Sequence, residues 1–366
     1  MAGYTPDLAA AIRRIAWHDA GPTRPEPENY GLDKALKHWL GLPANIPIAL
    51  QMHHGAEIIV RKYLHTLANP APVMVFRKAF KDFYAKYNKQ AFVIGLPYVH
   101  YRRARNITTL PTAAGTLAFP CQSIRQVACE FDLNAYADTL LSLPAAFHPV
   151  AVCMYWHDLV CGKHEPFLRR GIPVYTAGHI YDENFVANFY DILRNFRFGT
   201  SNLSISTSTI LALEMDMPFF VMGDPIMFHS NGNDKNVPAG RYDERAYARE
   251  NACPITAGFV DMFQREGVPQ SVAEIVPTQP MKAMATLVHG CDEPLDVMEI
   301  RGLVFAAYFC FTPAGRHVRD FVLQQPDVLH NNRYEKIFEG HDLALSFCRC
   351  VTQYPELHYL AETQGR

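Results

Sequence analysis

The stretch from residue 148 to residue 224 decides the fold of this chain. It opens HPVAVCMYWHD (148–158), passes through GIPVYTAGHIYDENF (171–185) and closes SNLSISTSTILALEMDMPFFVMGD (201–224). Apolar runs alternate here with helical patterns, and each run ends in His, Asp, Ser or Thr. This alternation predicts an α/β sheet whose ligand binds at the carboxyl ends of its strands.

The rest of the second half extends this pattern. Strands are predicted at Val150–Tyr155, Val174–Thr176, Asn202–Ser204 and Phe219–Met222, and helices at Glu165–Arg170, Asn184–Phe196 and Thr207–Met215. Asp224–Gly240 is predicted to be a long polar loop, because turn-forming residues are dense in it. Beyond it the periodicity predicts helices at Glu244–Asn251, Thr256–Gly267, Glu299–Phe311 and Tyr334–Tyr354.

An earlier series of strands and helices fills the first half. Its predicted strands are Ile46–Met52, Ala71–Phe76, Ala91–Pro97 and Gly115–Pro120, and its clearest helices are Leu8–Trp17, Leu32–Leu40 and Ala135–Leu143. We therefore predict an α/β fold with two Rossmann-like domains facing each other across a cleft. The predicted boundaries are 1–145 for the first domain, 146–340 for the second, and 341–366 for a helical tail that packs back on the first.

Composition narrows the class of protein. The chain has 366 residues, of which 19% are charged and 49% hydrophobic, and its formal net charge is -2. These values predict a folded globular protein with no overall attraction to nucleic acid. The nine cysteines form no CxxC motif, so free thiols in a reducing compartment are expected. No signal-peptide pattern and no long apolar window is present, and we expect a cytoplasmic protein.

Two features of the second half suit a phosphate group. Ser206, Thr207 and Ser208 precede a predicted helix, whose free N–H groups and dipole favour an anion. Ordinary capping of a crossover helix would need the same residues. His148-Pro149 precedes a strand, and a histidine held there could contact a phosphate oxygen.

Histidine and aspartate follow the next two strands. His157 and Asp158 come after one strand, and His179 and Asp182 after the other. At such positions an aspartate can bind sugar hydroxyls or act as a base or nucleophile, although a loop hydrogen bond is equally consistent. The spacing is not that of a compact metal site, so no metal is predicted.

The first half offers a candidate base and a candidate membrane surface. His54, in His53-His54-Gly55 after the first strand, is placed to accept a proton from an acceptor hydroxyl, or is a loop histidine. The segment FRKAFKDFYAKYNK (76–89) has basic and aromatic residues in alternation. It predicts either a peripheral contact with an anionic membrane or a core-packing helix with exposed lysines.

These motifs resemble the GT-B type of glycosyltransferase. The likeness is to bacterial enzymes that use CMP-activated acidic sugars, the Kdo transferases and sialyltransferases of capsule and lipopolysaccharide synthesis. His148-Pro149 resembles their HP motif, and Ser206, Thr207 and Ser208 resemble their Ser/Ser-or-Thr motif. The middle segments WHDL, TAGHIYDENFVANFYDILR and SNL are also similar, over about 80 residues. His54-Gly55 resembles the His-Gly of a first loop, whereas Gln122 stands where a related loop often carries histidine.

The resemblance implies a function and a set of roles. A nucleotide sugar would bind to the second domain, and a sugar such as Kdo or sialic acid would pass to a surface-polysaccharide or glycolipid acceptor at the first. His148, Pro149, Ser206, Thr207 and Ser208 would hold the nucleotide. The sugar would contact His157, His179 and Asn202, and catalysis would fall to His54, Asp158 and Asp182, with no metal and no cofactor.

Two alternatives remain open on the sequence. One is a CDP-glycerol-type polymer transferase, which has a similar His-Gly and Ser-rich helix start. The other is a non-catalytic glycan-binding or assembly protein on a GT-B scaffold. GxGxxG after a strand, GxxxxGK[ST] and GxSxG do not occur, which weakens dinucleotide, NTPase and α/β-hydrolase interpretations.

Overall fold

We describe a computed structural model of the chain. It describes residues 7–22, 24–56, 64–69, 71–203, 205–233, 239–251, 262, 267–292, 296–325, 334–340 and 342–353. The predicted helix Thr256–Gly267 lies almost wholly outside these residues, as do 234–238 of the predicted polar loop and 354–366 of the predicted tail. The fold is mixed α/β, with two parallel sheets and one small antiparallel sheet.

A five-stranded parallel sheet forms the centre of the second half. Its order is β7-β6-β4-β8-β9, with β4 Thr116–Phe119, β6 Val150–Cys153, β7 Val174–Tyr175, β8 Phe198–Ser201 and β9 Phe219–Val221. All five strands are buried throughout, which explains why they read as continuous apolar runs. The strand predicted at Asn202–Ser204 is wrong by four residues, because the preceding helix ends earlier than predicted. Gly199 lies within β8, where a Cβ would come 2.5 Å from the Phe219 ring.

A three-stranded parallel sheet lies in the first half. Its order is β1-β2-β3, with β1 Gln51–Met52, β2 Val73–Val75 and β3 Ala91–Val93. The fourth predicted strand, β4, is not part of it. β4 pairs with β6 and β8 instead, so the domain boundary predicted at residue 145 would cut the five-stranded sheet. The correct division between the sheets falls between β3 and β4.

The antiparallel sheet was not predicted. Its order is β11-β10-β5, with β5 Val127–Glu130, β10 Met227–Ser230 and β11 Gly240–Asp243. Two of its strands lie in or at the end of the segment predicted to be a polar loop. Their side chains are largely half-buried or exposed, so they lack the apolar run that marks the other strands.

Helices cover both faces of the parallel sheets. The helices in chain order are α1 Leu8–Asp19, α2 Leu32–Leu40, α3 Leu64–Ala68, α4 Lys78–Ala85, α5 Pro97–Ala104, α6 Leu133–Leu141, α7 Trp156–Val160, α8 Glu165–Arg169, α9 Phe185–Leu193, α10 Thr207–Glu214, α11 Glu244–Asn251, α12 Gln279–His289, α13 Val297–Phe311, α14 Pro313–Leu323, α15 Tyr334–Ile337 and α16 Asp342–Gln353. Short 3₁₀ segments lie at Glu26–Gly31, Ala145–Phe147 and Val272–Ile275.

One buried apolar cluster joins the two parallel sheets. It contains Met52 and Met74 of the first sheet, Leu117 and Phe219 of the second, and residues of α2, α9, α10 and α13. Alternate residues of the second sheet, such as Val152, face a separate cluster on the other side, where α1, α6, α7 and α8 pack. The halves therefore share a core, and α1 packs on α7, with Ile15 in the apolar cluster of the second sheet.

The C-terminal helices return to the first half. Leu303 and Ala306 of α13 pack near Leu50, Pro72 and Phe92 of the first sheet, and α16 packs on α13 and α14. Among the described helices, none alone has the length and apolarity of a membrane span. α13 and α14 meet that test only when taken together, and they are bent by 96°.

Candidate functional site

A cavity of about 450 Å³ lies where the carboxyl ends of both parallel sheets meet. Its size is within the range typical of small-molecule sites. From the first half it is lined by Tyr30, His53, His54, Gly55, Ala56, Phe80 and Tyr98. From the second sheet and its helices it is lined by Phe119, Pro120, Cys121, Gln122, Cys153, Met154, Tyr155, Ala177, Phe185, Phe189, Ser201, Leu203, Ile205, Ser206, Thr207, Ser208 and Leu211.

The third wall comes from the antiparallel sheet and its surroundings. It consists of Ile124, Val127, Phe228, Tyr242, Glu244 and Tyr247. The walls taken together are mostly aromatic and aliphatic. Besides the buried Glu244 of the third wall, polar side chains cluster at two points. One is the loop after β1, and the other is the beginning of α10. This mixture of an apolar lining and a few polar groups is typical of a ligand site.

The loop after β1 presents His54 to the cavity. Its imidazole is 44% exposed, and Nδ1 lies 3.4 Å from Oε1 of Glu26. The ring also packs against Tyr30, with 5.3 Å between the ring centroids. A histidine held by a carboxylate on one nitrogen can accept a proton on the other, so the predicted position of His54 after the first strand is one from which a base could act.

The beginning of α10 is the second polar point. Ser206 caps the helix, because its Oγ accepts a hydrogen bond from the Thr209 amide while the Thr209 hydroxyl accepts one from the Ser206 amide. This capping box uses neither the Thr207 amide nor the Ser208 amide. Both belong to the first turn at the cavity wall, where N–H groups and the helix dipole favour an anion.

One contact joins these polar points, and a second connects the walls of the cavity. The amide of Ala56, in the His54 loop, donates a 2.9 Å hydrogen bond to Oγ1 of Thr207. Across the cavity, the hydroxyls of Tyr30 and Tyr155 are 3.2 Å apart. Side chains of both halves therefore meet across the cavity. His54 is two residues before Ala56, the residue bonded to α10, which is about 7 Å of extended chain.

The cysteines of the cavity are not nucleophiles. Burial raises the pKa of the Cys153 thiol to about 12. It also raises the pKa of Cys121, helped by a hydrogen bond with Cys129. Both thiols stay protonated at neutral pH, whereas nucleophilic attack needs a thiolate. The seven described cysteines carry no disulfide; Cys253 and Cys350 lie outside the residues whose side chains are described.

His148 and Pro149 are far from this cavity. They precede β6, and its four residues, about 13 Å of extended chain, separate them from the carboxyl end of the strand. Nε2 of His148 lies 2.8 Å from the Leu143 carbonyl oxygen. The prediction that these two residues share a site with Ser206, Thr207 and Ser208 is wrong, because the sequence pattern marks a strand end without showing which end faces the ligand.

Asp158 is a structural residue. It is buried, with Oδ2 accepting a hydrogen bond from the Ser123 amide at 3.0 Å and Oδ1 lying 2.9 Å from Nζ of Lys163. It does not line the cavity. The carboxylate instead holds the loop after β4 against α7, which accounts for its place after a strand and corrects the catalytic role predicted for it.

His179 and Asp182 also point away from the cavity. Burial lowers the pKa of His179 to about 4, against the opposing effect of Asp19, so the ring is neutral and packs against Trp156 and His18. Asp182 is buried, and its Oδ1 accepts a hydrogen bond from the Asn184 amide just before α9. Both are loop-forming residues rather than the sugar contact and catalytic group predicted.

His157 and Asn202 complete the predicted set. His157, on α7, has Nε2 3.9 Å from Sγ of Cys161 and does not line the cavity. Asn202 is buried and follows β8, and its Oδ1 accepts a 2.7 Å hydrogen bond from the Cys121 amide. It supports a cavity-lining loop without lining the cavity itself.

The basic residues near the first sheet are largely structural. Arg102 and Arg103 of α5 both pair with Glu214 at the end of α10. Arg77 is buried over the Phe80 ring, and the buried Lys89 donates to backbone carbonyls. The predicted basic face of α4 therefore consists of only three exposed lysines, Lys78, Lys81 and Lys86, which weakens the expectation of a membrane contact.

Several residues of the candidate site are not predicted from the sequence. Glu26 lies in a Pro/Gly-rich loop 28 positions before His54, and no pattern links them. Tyr30 and Tyr155 look like ordinary aromatic residues, and Phe228 and Tyr242 fall in strands that were not predicted.

Within the described residues, no group of three His, Cys, Asp or Glu side chains is arranged to hold a metal ion.

No protein-family model matches this chain, and no curated protein matches it either.

Proposed function

We propose that this protein is a GT-B-like glycosyltransferase that moves a sugar from a nucleotide-linked donor to a glycan or glycolipid acceptor. The observation that carries the proposal is the meeting of two cavity walls. His54 from the first parallel sheet and the α10 start from the second lie beside each other, joined by the hydrogen bond from Ala56 to Thr207. A base and an anion site at facing carboxyl edges are what such a transfer needs.

The donor phosphate would bind at the beginning of α10. The amides of Thr207 and Ser208 supply hydrogen-bond donors, and the hydroxyl of Ser208, now 2.6 Å from Oγ of Ser206, can turn to a phosphate oxygen. Charge-assisted bonds of this kind contribute roughly 1.5–3 kcal/mol each. The aromatic walls would receive the flat nucleobase, since base–aromatic stacking contributes about 1–3 kcal/mol.

The chemical step uses His54 as the base. An acceptor hydroxyl attacks the anomeric carbon of the donor while Nε2 of His54 takes the hydroxyl proton. A new C–O bond forms, the bond from the anomeric carbon to the phosphate oxygen breaks, and its electron pair leaves with the nucleotide. The α10 start stabilises the negative charge that develops on that phosphate.

A CMP-activated acidic sugar such as Kdo or sialic acid remains the donor proposed, and a bacterial surface polysaccharide the setting. Its support is the resemblance of Ser206, Thr207 and Ser208 and of the segments WHDL, TAGHIYDENFVANFYDILR and SNL, since His148 does not line the cavity. A CDP-glycerol-type transferase has a similar Ser-rich helix start and a similar His-Gly, so the experiment must separate the two. A glycan-binding protein without catalysis would retain the cavity but need no base.

Thermal shifts with CMP, CDP, UDP and GDP test the binding half of the proposal. A ligand that binds only the folded state raises the melting temperature, by about 2.7 kcal/mol of stabilisation at 100 times its Kd. We expect CMP or CDP to stabilise the protein most. Nucleotide release from CMP-sugar and from CDP-glycerol, measured with and without acceptor glycans, then tests catalysis. No shift with any of the four nucleotides would refute the proposal.

A further inference from the structure

Two histidine rings approach the carboxylate of Glu26. Oε1 of Glu26 lies 3.4 Å from Nδ1 of His54 and 3.9 Å from Nδ1 of His53. The glutamate side chain is 22% exposed, so part of it is shielded from water. Its interaction with the more accessible His54 is therefore stronger than that of a fully solvated pair.

His53 also lines the cavity and contacts α4. It is buried, and its Nε2 lies 2.5 Å from the Tyr84 hydroxyl on α4. The two rings are nearly parallel, with 5.9 Å between their centroids. When the phenol donates to Nε2, the His53 proton is on Nδ1, which faces Glu26. One side of the glutamate therefore lies 3.9 Å from a ring whose other nitrogen is hydrogen-bonded to Tyr84.

The backbone around Glu26 is also constrained. Glu26 lies between Pro25 and Pro27, which have restricted backbone angles. The Glu28 amide donates a 2.9 Å hydrogen bond to the Pro25 carbonyl, and the Tyr30 amide donates to the Ile180 carbonyl of the second half. The segment that carries the carboxylate is therefore folded into a turn and attached to the second half at Tyr30, whose ring lies beside His54.

We propose that Glu26 is a positioning residue that accepts a hydrogen bond from Nδ1–H of His54 and so leaves Nε2 as the proton acceptor in the cavity. The inference rests on the proposed transferase function for its catalytic meaning. When the acceptor hydroxyl attacks the anomeric carbon and the donor phosphate leaves, the hydroxyl proton passes to Nε2. The imidazolium that results has its Nδ1–H against the Glu26 carboxylate. The 3.4 Å separation shortens as the complex forms, as catalytic hydrogen bonds commonly do.

The tautomer of His54 tests the proposal without any substrate. Long-range ¹H–¹⁵N spectra of protein labelled at histidine nitrogens report which ring nitrogen carries the proton, at about pH 8.5, where histidines are ordinarily neutral. The His54 signals are assigned by their loss in His54→Asn. We expect the Nδ1–H form in the unmodified protein. Glu26→Gln should keep it, since the amide oxygen still accepts a hydrogen bond, and Glu26→Ala should shift it toward the Nε2–H form that free histidine prefers.

Glu28 provides the matched control. It lies two residues away in the same turn, and its carboxylate is 3.9 Å from the partly exposed Arg24. Glu28→Ala should leave the His54 tautomer unchanged. Persistence of the Nδ1–H form in Glu26→Ala, or the Nε2–H form in the unmodified protein, would overturn the proposal.

Turnover then tests the catalytic role separately. With a donor identified, Glu26→Ala should lower kcat by about 10²-fold, the usual cost of a misplaced catalytic group, and leave the donor Kd unchanged. Glu26→Gln should show a smaller decrease in kcat than Glu26→Ala. Unchanged kcat in a folded Glu26→Ala protein would overturn the positioning role. A protein with the expected tautomers but no transfer with any donor would instead refute the proposed function and leave the hydrogen bond established.

Discussion

A carboxylate introduced at the beginning of α10 should block the donor phosphate and spare the fold. Ser208 is the second residue of this helix, and its Oγ lies 2.6 Å from Oγ of Ser206. In Ser208→Asp the new carboxylate can keep that contact as an acceptor. A negative charge in the first turn also interacts favourably with the helix dipole, by about 0.3–1 kcal/mol. The free energy of unfolding should therefore stay the same or rise slightly.

The effect on binding has the opposite sign. A phosphate bound to the Thr207 and Ser208 amides would lie about 5 Å from the new carboxylate. At an effective dielectric constant of about 20, two unit charges at that distance repel by roughly 3 kcal/mol. That energy raises the Kd of the nucleotide by roughly 10²-fold. Isothermal titration calorimetry measures this with the nucleotide that gives the largest thermal shift.

The neutral variant Ser208→Asn is the control. Its side chain is close in size to aspartate and can also accept the hydrogen bond from Ser206, but it carries no charge. We expect at most a small loss of affinity. The loss in Ser208→Asp should shrink as salt is added, because salt screens the repulsion. If Ser208→Asp binds the nucleotide as tightly as the unmodified protein, with unfolding unchanged, the phosphate does not bind at α10.

Three further outcomes follow from the same structure. His54→Asn should lower turnover by about 10²- to 10⁴-fold, the usual contribution of a general base, while calorimetry shows an unchanged donor Kd; normal turnover would remove His54 from the chemistry. Asp158→Asn should reduce the free energy of unfolding by about 2 kcal/mol in urea titrations, with turnover per folded molecule preserved; a stable but inactive variant would restore the catalytic role. Burial lowers three histidine pKa values to about 4, so stability should be complete above about pH 6.5 and fall as the pH drops toward 4, where the unfolded chain binds more protons; urea unfolding across that range measures it, and a flat profile would contradict it. The three are His100, His179 and His289.

The sequence predicts most strands of the five-stranded sheet, because burial on both faces makes them continuous apolar runs, but the strand predicted at Asn202–Ser204 shares no residue with β8. Thr116–Phe119 was found this way, yet it was assigned to the wrong sheet. Order along the chain suggested that it belonged with the strands before it, whereas pairing with β6 and β8 depends on contacts that are distant in sequence. The antiparallel strand Met227–Ser230 was missed for a different reason, since its half-buried side chains give no apolar run.

The sequence predicts some residues of the candidate site and misplaces others. Ser206 and His54 lie at carboxyl ends of strands and do line the cavity. Asp158 and Asp182 follow strands too, but each is buried and accepts a hydrogen bond from a backbone amide. The end of a strand determines the edge of the sheet at which a residue lies. The turn that follows determines whether its side chain faces the ligand or the loop.

The contacts between the halves bear on how a transferase of this kind would work. Two separate domains would have to close before a base on one could reach a donor on the other. Here the Ala56 amide already bonds to Thr207, and Tyr30 already meets Tyr155 across the cavity. A shared apolar core lies behind those contacts, so separating the halves would expose buried side chains of both sheets. The proposed base His54 and the proposed anion site at α10 are consequently held in one arrangement, and we expect entry to the cavity to depend on side chains that line it rather than on the approach of two domains.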